Sequence, residues 1–329
     1  MSKICFVHDY HYITSAENLL AAWSEFIKGK RNRKDVQEFE LNLISNIIDL
    51  HNDLVNFTYR HSGYEAFNIT DPKPRNIHKA SVCDRLLHHA IYRQLYPFFD
   101  KTFTADSFSC RNNKGTHKAI NRFRKMAYQV GKNNTKTVWI LKCDIKKFFA
   151  NINHDILKNI LASYISDKDI LWLLGRVIDS FEAKPKTGLP LGNLTSQFFV
   201  NIYMNEFDQF VKHKLKQKHY IRYADDFVFL SDNKENLIYI IKLIKEFLGK
   251  KLKLEIHPKK ITLSTLASGI DYLGYVHFPR HRVIRTKTKK RILRLVSSKN
   301  LPSYYGVLKH CNSFKLRQEI ENMVGLVNK

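Results

Sequence analysis

An α+β chain with a central antiparallel sheet is predicted by three features of the sequence. The run "TVWILKCDI" (residues 137–145) is β-branched and apolar, as a buried strand is. "HYIRYADDFVFLS" (219–231) sets two apolar runs about an Asp-Asp pair, as a hairpin does. The stretches on either side carry apolar residues at helical spacing.

In order along the chain, Thr14 to Lys30 is predicted to be a helix. Thr14 and Glu17 give a capping-box pattern, Leu19, Leu20, Trp23, Phe26 and Ile27 form its face, and Gly29 marks its stop. After the basic cluster "KGKRNRK", residues 35–56 form a second amphipathic helix. A polar, Pro-containing segment, "TDPKPRNIHKAS", leads into a helix whose face is Leu87, Ile91, Leu95 and Phe98. His88 and His89 lie on it without a second ligand pair and are expected to be structural. The strand ending at Asp144 is followed by the helical "HDILKNILASYI". The Gly/Pro loop "TGLPLGNLTSQ" then feeds a helix from "FFVNIYMNEF" onward. Beyond the hairpin come a helix at 234–249, short strands in "LKLEIHPKKITL" and "IDYLGYVHF", and a basic, mostly helical tail from Thr286.

Composition bounds the function. The 329 residues carry 55 Lys plus Arg against 30 Asp plus Glu, a formal charge of +25. That excess is large for an enzyme of small metabolites and suits a polyanion, foremost a nucleic acid and otherwise an acidic membrane surface. No apolar run approaches a membrane span, and the N-terminus lacks a signal-peptide layout. Cys5, Cys83, Cys110, Cys143 and Cys311 are scattered and odd in number, so neither a disulfide framework nor a metal-ligand spacing is expected. The chain is expected to be reduced and cytoplasmic.

Asp is a common turn residue, so Asp225-Asp226 could be turn chemistry alone. The order of elements argues for more. A buried strand ending in Asp144 can lie beside a hairpin whose tip holds Asp225 and Asp226, which puts three acids in a small volume. Such a cluster is not stable ionised on its own near neutral pH. Two Mg²⁺ ions would neutralise it, with Mn²⁺ as a substitute, and a two-metal site is what in-line phosphoryl transfer uses.

These residues resemble a family. "YADD" (223–226) is similar to the hairpin motif of reverse transcriptases, and "DIKKFF" (144–149) to their preceding metal-binding motif. "GLPLGNLTSQ" (188–197) resembles their nucleotide-binding Gly loop, and "HPKK" and "YLGY" their downstream motifs. Reverse transcriptases related to group II introns mostly carry Gln before the loop Gly and Pro after its Ser. Here Leu191 and Gln197 stand there, a pattern similar to the reverse transcriptases of diversity-generating retroelements. "TSAENLLAAWSEFIKGK", "DPKPRNIHKA", "DRLLHHAIY", "SCRNNKGTHKAI" and "SYYGVLKHCNSFKL" also resemble that group, so the likeness covers about residues 13–316.

The resemblance implies a right-hand polymerase with an antiparallel-sheet palm: N-terminal helices and fingers over 1–135, palm over 136–280 with the loop 183–197 partly in the fingers, and a short helical thumb over 281–329. No room is expected for a maturase, endonuclease or RNase H domain. It implies that Asp144 and Asp225 bind both metals, aided by the backbone of Ile145, with Asp226 less direct. Tyr223 and Ala224 would pack under the primer end, and Phe149 would be the steric gate against a 2′-hydroxyl. Arg75, with Lys73 a weaker candidate, would contact the triphosphate, for which a planar guanidinium is suited. Leu191, Gly192 and Gln197 would line the nucleotide, Gly192 allowing close backbone approach. Lys260, or the adjacent Lys259, would protonate the leaving pyrophosphate. The implied activity is error-prone synthesis of complementary DNA from a template-repeat RNA, with misincorporation opposite template adenine, in a bacterial or phage-encoded system. A small, basic, oligomeric accessory protein is the implied partner. Another bacterial reverse transcriptase lineage, intron-borne or defence-linked, and a non-catalytic RNA-binding protein on a polymerase scaffold are the alternatives.

Overall fold

A computed structural model describes residues 4–70 and 74–327. The chain begins with helices α1 (Tyr10–Thr14), α2 (Ala16–Phe26), α3 (Lys34–Leu41) and α4 (Leu43–Val55), then strands β1 (Glu65–Ile69) and β2 (Arg75–Lys79) and helices α5 (Val82–Thr102) and α6 (Thr116–Val130). Strand β3 (Trp139–Asp144) precedes α7 (His154–Ala162), α8 (Lys168–Asp179) and α9 (Leu194–Gln209). Next come β4 (Tyr220–Tyr223), β5 (Asp226–Ser231) and α10 (Lys234–Leu252). Short strands β6 (Thr262–Thr265), β7 (Ile270–Tyr272), β8 (Tyr275–His277) and β9 (Arg282–Ile284) lead to α11 (Thr286–Leu295), α12 (Leu301–Leu308) and α13 (Phe314–Val327). The chain divides into two compact units, each assembled from three stretches.

The first unit comprises the N-terminal stretch to Thr104, Ile145–Phe210 and Lys245–Glu255. Its α5 packs against α2 and α9, burying Leu19, Trp23, Leu87, Ile91, Leu95, Phe198 and Phe199. Several expectations need correction here. The cap of α2 is Ser15, whose hydroxyl accepts from the Asn18 amide, whereas Thr14 ends α1 and donates to the Tyr10 carbonyl. The helix ends at Phe26, short of Lys30, and Gly29 lies in the turn beyond with φ 70°. The single helix expected over 35–56 is two, broken at Asn42 (φ −117°, ψ 35°), a residue type whose side chain competes with helical backbone. Within the polar segment before α5, Arg75–Lys79 pairs antiparallel with β1, Ile69 opposite Arg75, which the segment's Pro content obscured. Helix α9 starts at Leu194, so Thr195, Ser196 and Gln197 are its first turn and not loop. His88 is fully buried with its Nε2 3.2 Å from His61 Nε2, and burial drives its pKa well below the usual value. His89 packs edge-on to Phe26.

The second unit comprises Ala105–Asp144, Val211–Ile244 and the chain from Ile256. Its centre is an antiparallel sheet in the order β4-β5-β3-β6. Side chains alternate across such a sheet. Ile140, Ile221, Val228 and Leu230 join Ala119, Phe123, Met126 and Val130 of α6 in one core, to which Ile270 and Tyr272 belong. The segment before α6 adds to the sheet edge: Arg222 donates its amide to the Asp106 carbonyl and accepts from the Phe108 amide, both at 3.0 Å. "HPKK" was expected within a strand but forms a 3₁₀ turn, Pro258–Lys260, capped by His257. "YLGY" is a two-residue hairpin turn with Leu273 (φ 49°) and Gly274 (φ 90°), and β9 adds an unforeseen third strand to β7 and β8. Ile292, Leu308, Leu316 and Ile320 form a core of their own under the C-terminal helices.

Replacing Ser15 with Ala leaves the Asn18 amide without its side-chain acceptor. Loss of such a cap costs about 1 kcal/mol, so denaturant titration should show a lower midpoint at an unchanged slope. An unaltered midpoint would return the cap to the Thr14 pattern.

Candidate active site

Asp144 closes β3 because its strand runs out there, and the register sets it directly opposite Asp226, the first residue of β5. Asp226 is also the cross-strand partner of Tyr223. Between them only Ala224 and Asp225 turn the chain, with Ala224 at φ 54°. The tight turn brings Asp225 to the same end of the sheet as Asp144 and Asp226. The electrostatics record the crowding. Burial, then the charges of Asp144 and Asp226, push the Asp225 carboxyl up to about 6.

Two lysines offset this charge. Lys260 Nζ lies 2.8 Å from Asp144 Oδ1, and that hydrogen bond raises its pKa above the usual lysine value. The 3₁₀ turn explains the placement: the His257 amide donates to the Asp144 carbonyl at 2.8 Å, and the Lys260 amide donates back to His257. Lys259 beside it is exposed. Lys142, two residues before Asp144, reaches to 3.9 Å from Asp226 and donates to the Asp271 carbonyl. Among the described residues no three His, Cys, Asp or Glu side chains converge as a ready metal cluster. The chemistry of the donors still fits a hard divalent cation: three carboxylates, one with its ionised form disfavoured, and ammonium groups in the charge-compensating role.

The remaining candidates lie mostly in the first unit. Leu191 accepts at its carbonyl from the His78 amide (3.0 Å), and Asn193 Nδ2 donates to the His78 carbonyl (2.8 Å), so the Gly loop is bonded along β2. Gly192 between them has φ 106°, and a Cβ there would meet Ile77 Cγ2 at 2.7 Å, so no larger residue fits. Gln197 is half-buried in the first turn of α9, and Arg75 is exposed at the start of β2. Lys73 lies outside the described residues. Phe149 is half-buried, opens a 3₁₀ turn, and accepts at its carbonyl from the Leu189 amide at 2.9 Å. The Ile145 side chain is buried. In the second unit, Tyr223 packs on the core beside α6, and its hydroxyl accepts from Thr116 Oγ1 at 3.2 Å.

Sequence reasoning missed His78, Asn193, Lys142 and Arg222. The first two act through backbone contacts between distant segments, which no spacing signals. Arg222 is a charged residue inside the apolar run "HYIRYADDFVFLS", and that conflict was the available signal.

The chain matches the family model described as reverse transcriptase (RNA-dependent DNA polymerase) over residues 70–277, a span holding every candidate residue above. It is similar to protein YkfC of Escherichia coli (strain K12), 25% identical over 254 residues that cover 65% of this chain and 64% of that protein. It is also similar to the group II intron-encoded protein LtrA of Lactococcus lactis subsp. cremoris, 23% identical over 292 residues, 67% of this chain and 48% of that protein. The chain therefore spans less than two thirds of the length of these relatives. Among solved structures, apo telomerase from Candida tropicalis, truncated from its C-terminal domain, aligns at TM-score 0.52 and 15% identity over 71% of this chain and 59% of that one. That likeness concerns the fold, which is the α+β, right-hand polymerase class expected from the sequence. No helix among the described residues is long and apolar enough to cross a membrane.

Because the folded pKa of Asp225 is raised, the folded state binds its proton more tightly than the unfolded state does. Its contribution to stability is thus lost as pH rises from about 4 to about 6. In a chelating buffer at pH 7.5, Asp225→Asn should melt a few degrees above wild type, reflecting on the order of 1–2 kcal/mol from relieved burial of charge and relieved repulsion. The gap should close by about pH 4, below the folded pKa. Equal melting of the two proteins at both pH values would remove the charge crowding from the account.

Proposed function

The chain belongs to the reverse transcriptase (RNA-dependent DNA polymerase) family, and from that premise we propose that it is an RNA-directed DNA polymerase that adds deoxynucleotides to a primer on an RNA template. The observation that carries this reading is the acid cluster at the end of β3 and the β4–β5 turn, with Lys260 held against Asp144. The family uses divalent metal ions. Asp144 and Asp225, with Asp226 beside them and the Ile145 carbonyl, would hold two, Mg²⁺ or Mn²⁺. When bound, such ions supply activation of the primer hydroxyl and neutralise the leaving pyrophosphate.

The chain's own residues supply the rest. Lys260 keeps its proton, because the Asp144 carboxylate raises its pKa, and so has one to give to pyrophosphate oxygen. That contact supports Lys260 over Lys259. Tyr223 and Ala224 underlie the primer end. Phe149 excludes the 2′-hydroxyl, its backbone anchored to Leu189. Arg75, exposed at the start of β2, grips the triphosphate with its planar guanidinium, and Lys73 is its weaker companion. Gly192 lets the loop backbone lie close against Ile77 in a left-handed conformation and so turn toward the nucleotide. The fingers, palm and thumb over residues 1–135, 136–280 and 281–329 are our division by resemblance. The charge of +25 supports holding template RNA and the RNA/DNA duplex.

We further propose that the enzyme serves a diversity-generating retroelement, making mutagenic complementary DNA in a bacterial or phage-encoded, cytoplasmic system with a small basic accessory protein. Leu191 and Gln197 support this, standing where intron-related enzymes mostly have Gln and Pro. The second reading, an intron lineage, has its support in the likeness to the group II intron-encoded protein. A near-repeat pair differing only at adenines beside the coding sequence would favour the first.

Asp225→Asn should abolish primer extension on an RNA template, a loss of several kcal/mol of transition-state stabilisation, while RNA binding stays near wild type. Extension at a near wild-type rate would sink the assignment of these acids as metal ligands, and no extension by the wild type itself would favour the RNA-binding alternative.

Fidelity gives the second test. Gln can hydrogen-bond beside an incoming nucleotide and Leu cannot. One such bond is worth about 0.5–1.5 kcal/mol, a factor of roughly two to ten in discrimination. Leu191→Gln should therefore lower misincorporation opposite template adenine more than opposite other bases, read by sequencing the product. An unchanged adenine error rate with synthesis intact would leave Leu191 as loop packing.

A further inference from the structure

Arg222 stands where the alternation of β4 calls for an apolar side chain. Tyr220 and Arg222 share one face of the strand, and Ile221 and Tyr223 the other. Arg222 is 0% exposed and leads the fully buried side chains in size. A guanidinium cannot shed its charge, so burying it is costly unless its donors are used. Nη1 donates to the Ala224 carbonyl at 3.2 Å and Nη2 to Ser107 Oγ at 3.0 Å. The first acceptor is inside the turn that presents Asp225. The second belongs to a segment that is itself anchored. Ser107 is wholly buried, and its carbonyl accepts from Arg111 Nη1 at 3.1 Å. Asp106 beside it is buried between Arg122 Nε (2.7 Å) and Lys212 Nζ (2.8 Å).

Ala224 needs such a support. Its φ of 54° is in the left-handed region, where a side chain costs roughly 1–2 kcal/mol over the ordinary conformation. Without a partner for its carbonyl, the turn has a reason to relax, and Asp225 is the next residue. We infer that Arg222 is a positioning residue: its buried guanidinium ties the Ala224 carbonyl to the Ser107 segment and thereby fixes the carboxylate of Asp225. The planar fork serves both acceptors in one fixed geometry, which a lysine ammonium cannot reproduce. The inference rests on the polymerase reading of the acids.

The test uses the full chain with Arg222→Lys, Arg222→Met and Ser107→Ala, and Asp225→Asn as the reference. Thermal melting selects the folded variants. Mn²⁺ binding to the protein alone is followed by electron paramagnetic resonance, and primer extension gives kcat and the KM for deoxynucleotide. Ser107→Ala should fold and lose about twofold to tenfold in Mn²⁺ affinity and kcat, as one hydrogen bond warrants. Arg222→Lys should lose up to about a hundredfold in kcat, the effect of a misplaced reacting group, and Arg222→Met more than Arg222→Lys. RNA affinity should stay within about twofold, since it does not depend on where Asp225 points, and KM should change less than kcat. Wild-type Mn²⁺ affinity and kcat in the folded variants would overturn the inference and make Arg222 a core residue only. Should the Arg222 variants not fold, Ser107→Ala decides. Synthesis by Asp225→Asn would instead overturn the catalytic reading of the acids, and the Mn²⁺ titration would still decide what Arg222 does to Asp225.

Discussion

Negative charge must be held together at one end of the four-stranded sheet, because the register pairs Asp144 with Asp226 and the turn adds Asp225 between. Burial first, and then the neighbouring carboxylates, favour a proton on the middle acid, and the raised pKa of Asp225 is that tendency. The neighbourhood is organised around resisting it. Lys260 is delivered to Asp144 by a 3₁₀ turn whose own amide hydrogen bonds run back to the Asp144 backbone. Lys142 comes from the same strand as Asp144, two residues away, and so shares its face. Beneath the turn, a guanidinium buried where a leucine would be expected holds the backbone that carries the middle acid.

The first unit solves a different problem, the fixing of a glycine loop against a strand. The Gly loop is bonded to β2 through His78 on both sides of Gly192, so the glycine sits in a staple and not at a free loop tip. Its φ and the nearness of Ile77 both exclude a side chain. The loop's other end is tied to Phe149 and Ile152 through Leu189 and Gly188. A loop fixed at both ends can present backbone with little reorganisation, which suits the nucleotide binding proposed for it.

How much was legible in the sequence follows from the range of each interaction. The β4–β5 hairpin and β3 were readable because period-two patterns and turn residues are local. Helix α5 was readable from its apolar face. The boundary at Ser15 was misread by one residue, since Thr14 and Ser15 both suit a cap and only the backbone selects between them. The split at Asn42 and the β1–β2 hairpin were missed because a weak propensity there is decided by packing. "HPKK" seemed to continue a strand, but its backbone is committed to Asp144, a partner more than a hundred residues away.

The sequence by itself determined the chemical groups: three acids in a set order around a buried strand and a hairpin, a Gly/Pro loop ahead of a helix, and a basic excess suited to a polyanion. Only the tertiary structure decided which cations answer those acids and what braces their turn. Lys260 and Lys259 are equivalent in sequence, and the fold separates them by one ion pair. Arg222 reads as an interruption of an apolar strand until Ser107, from a distant segment, is brought beside it. Composition and pattern act through neighbouring residues and through the solvent. Charge compensation acts through space, so its partners are fixed only when the chain has folded.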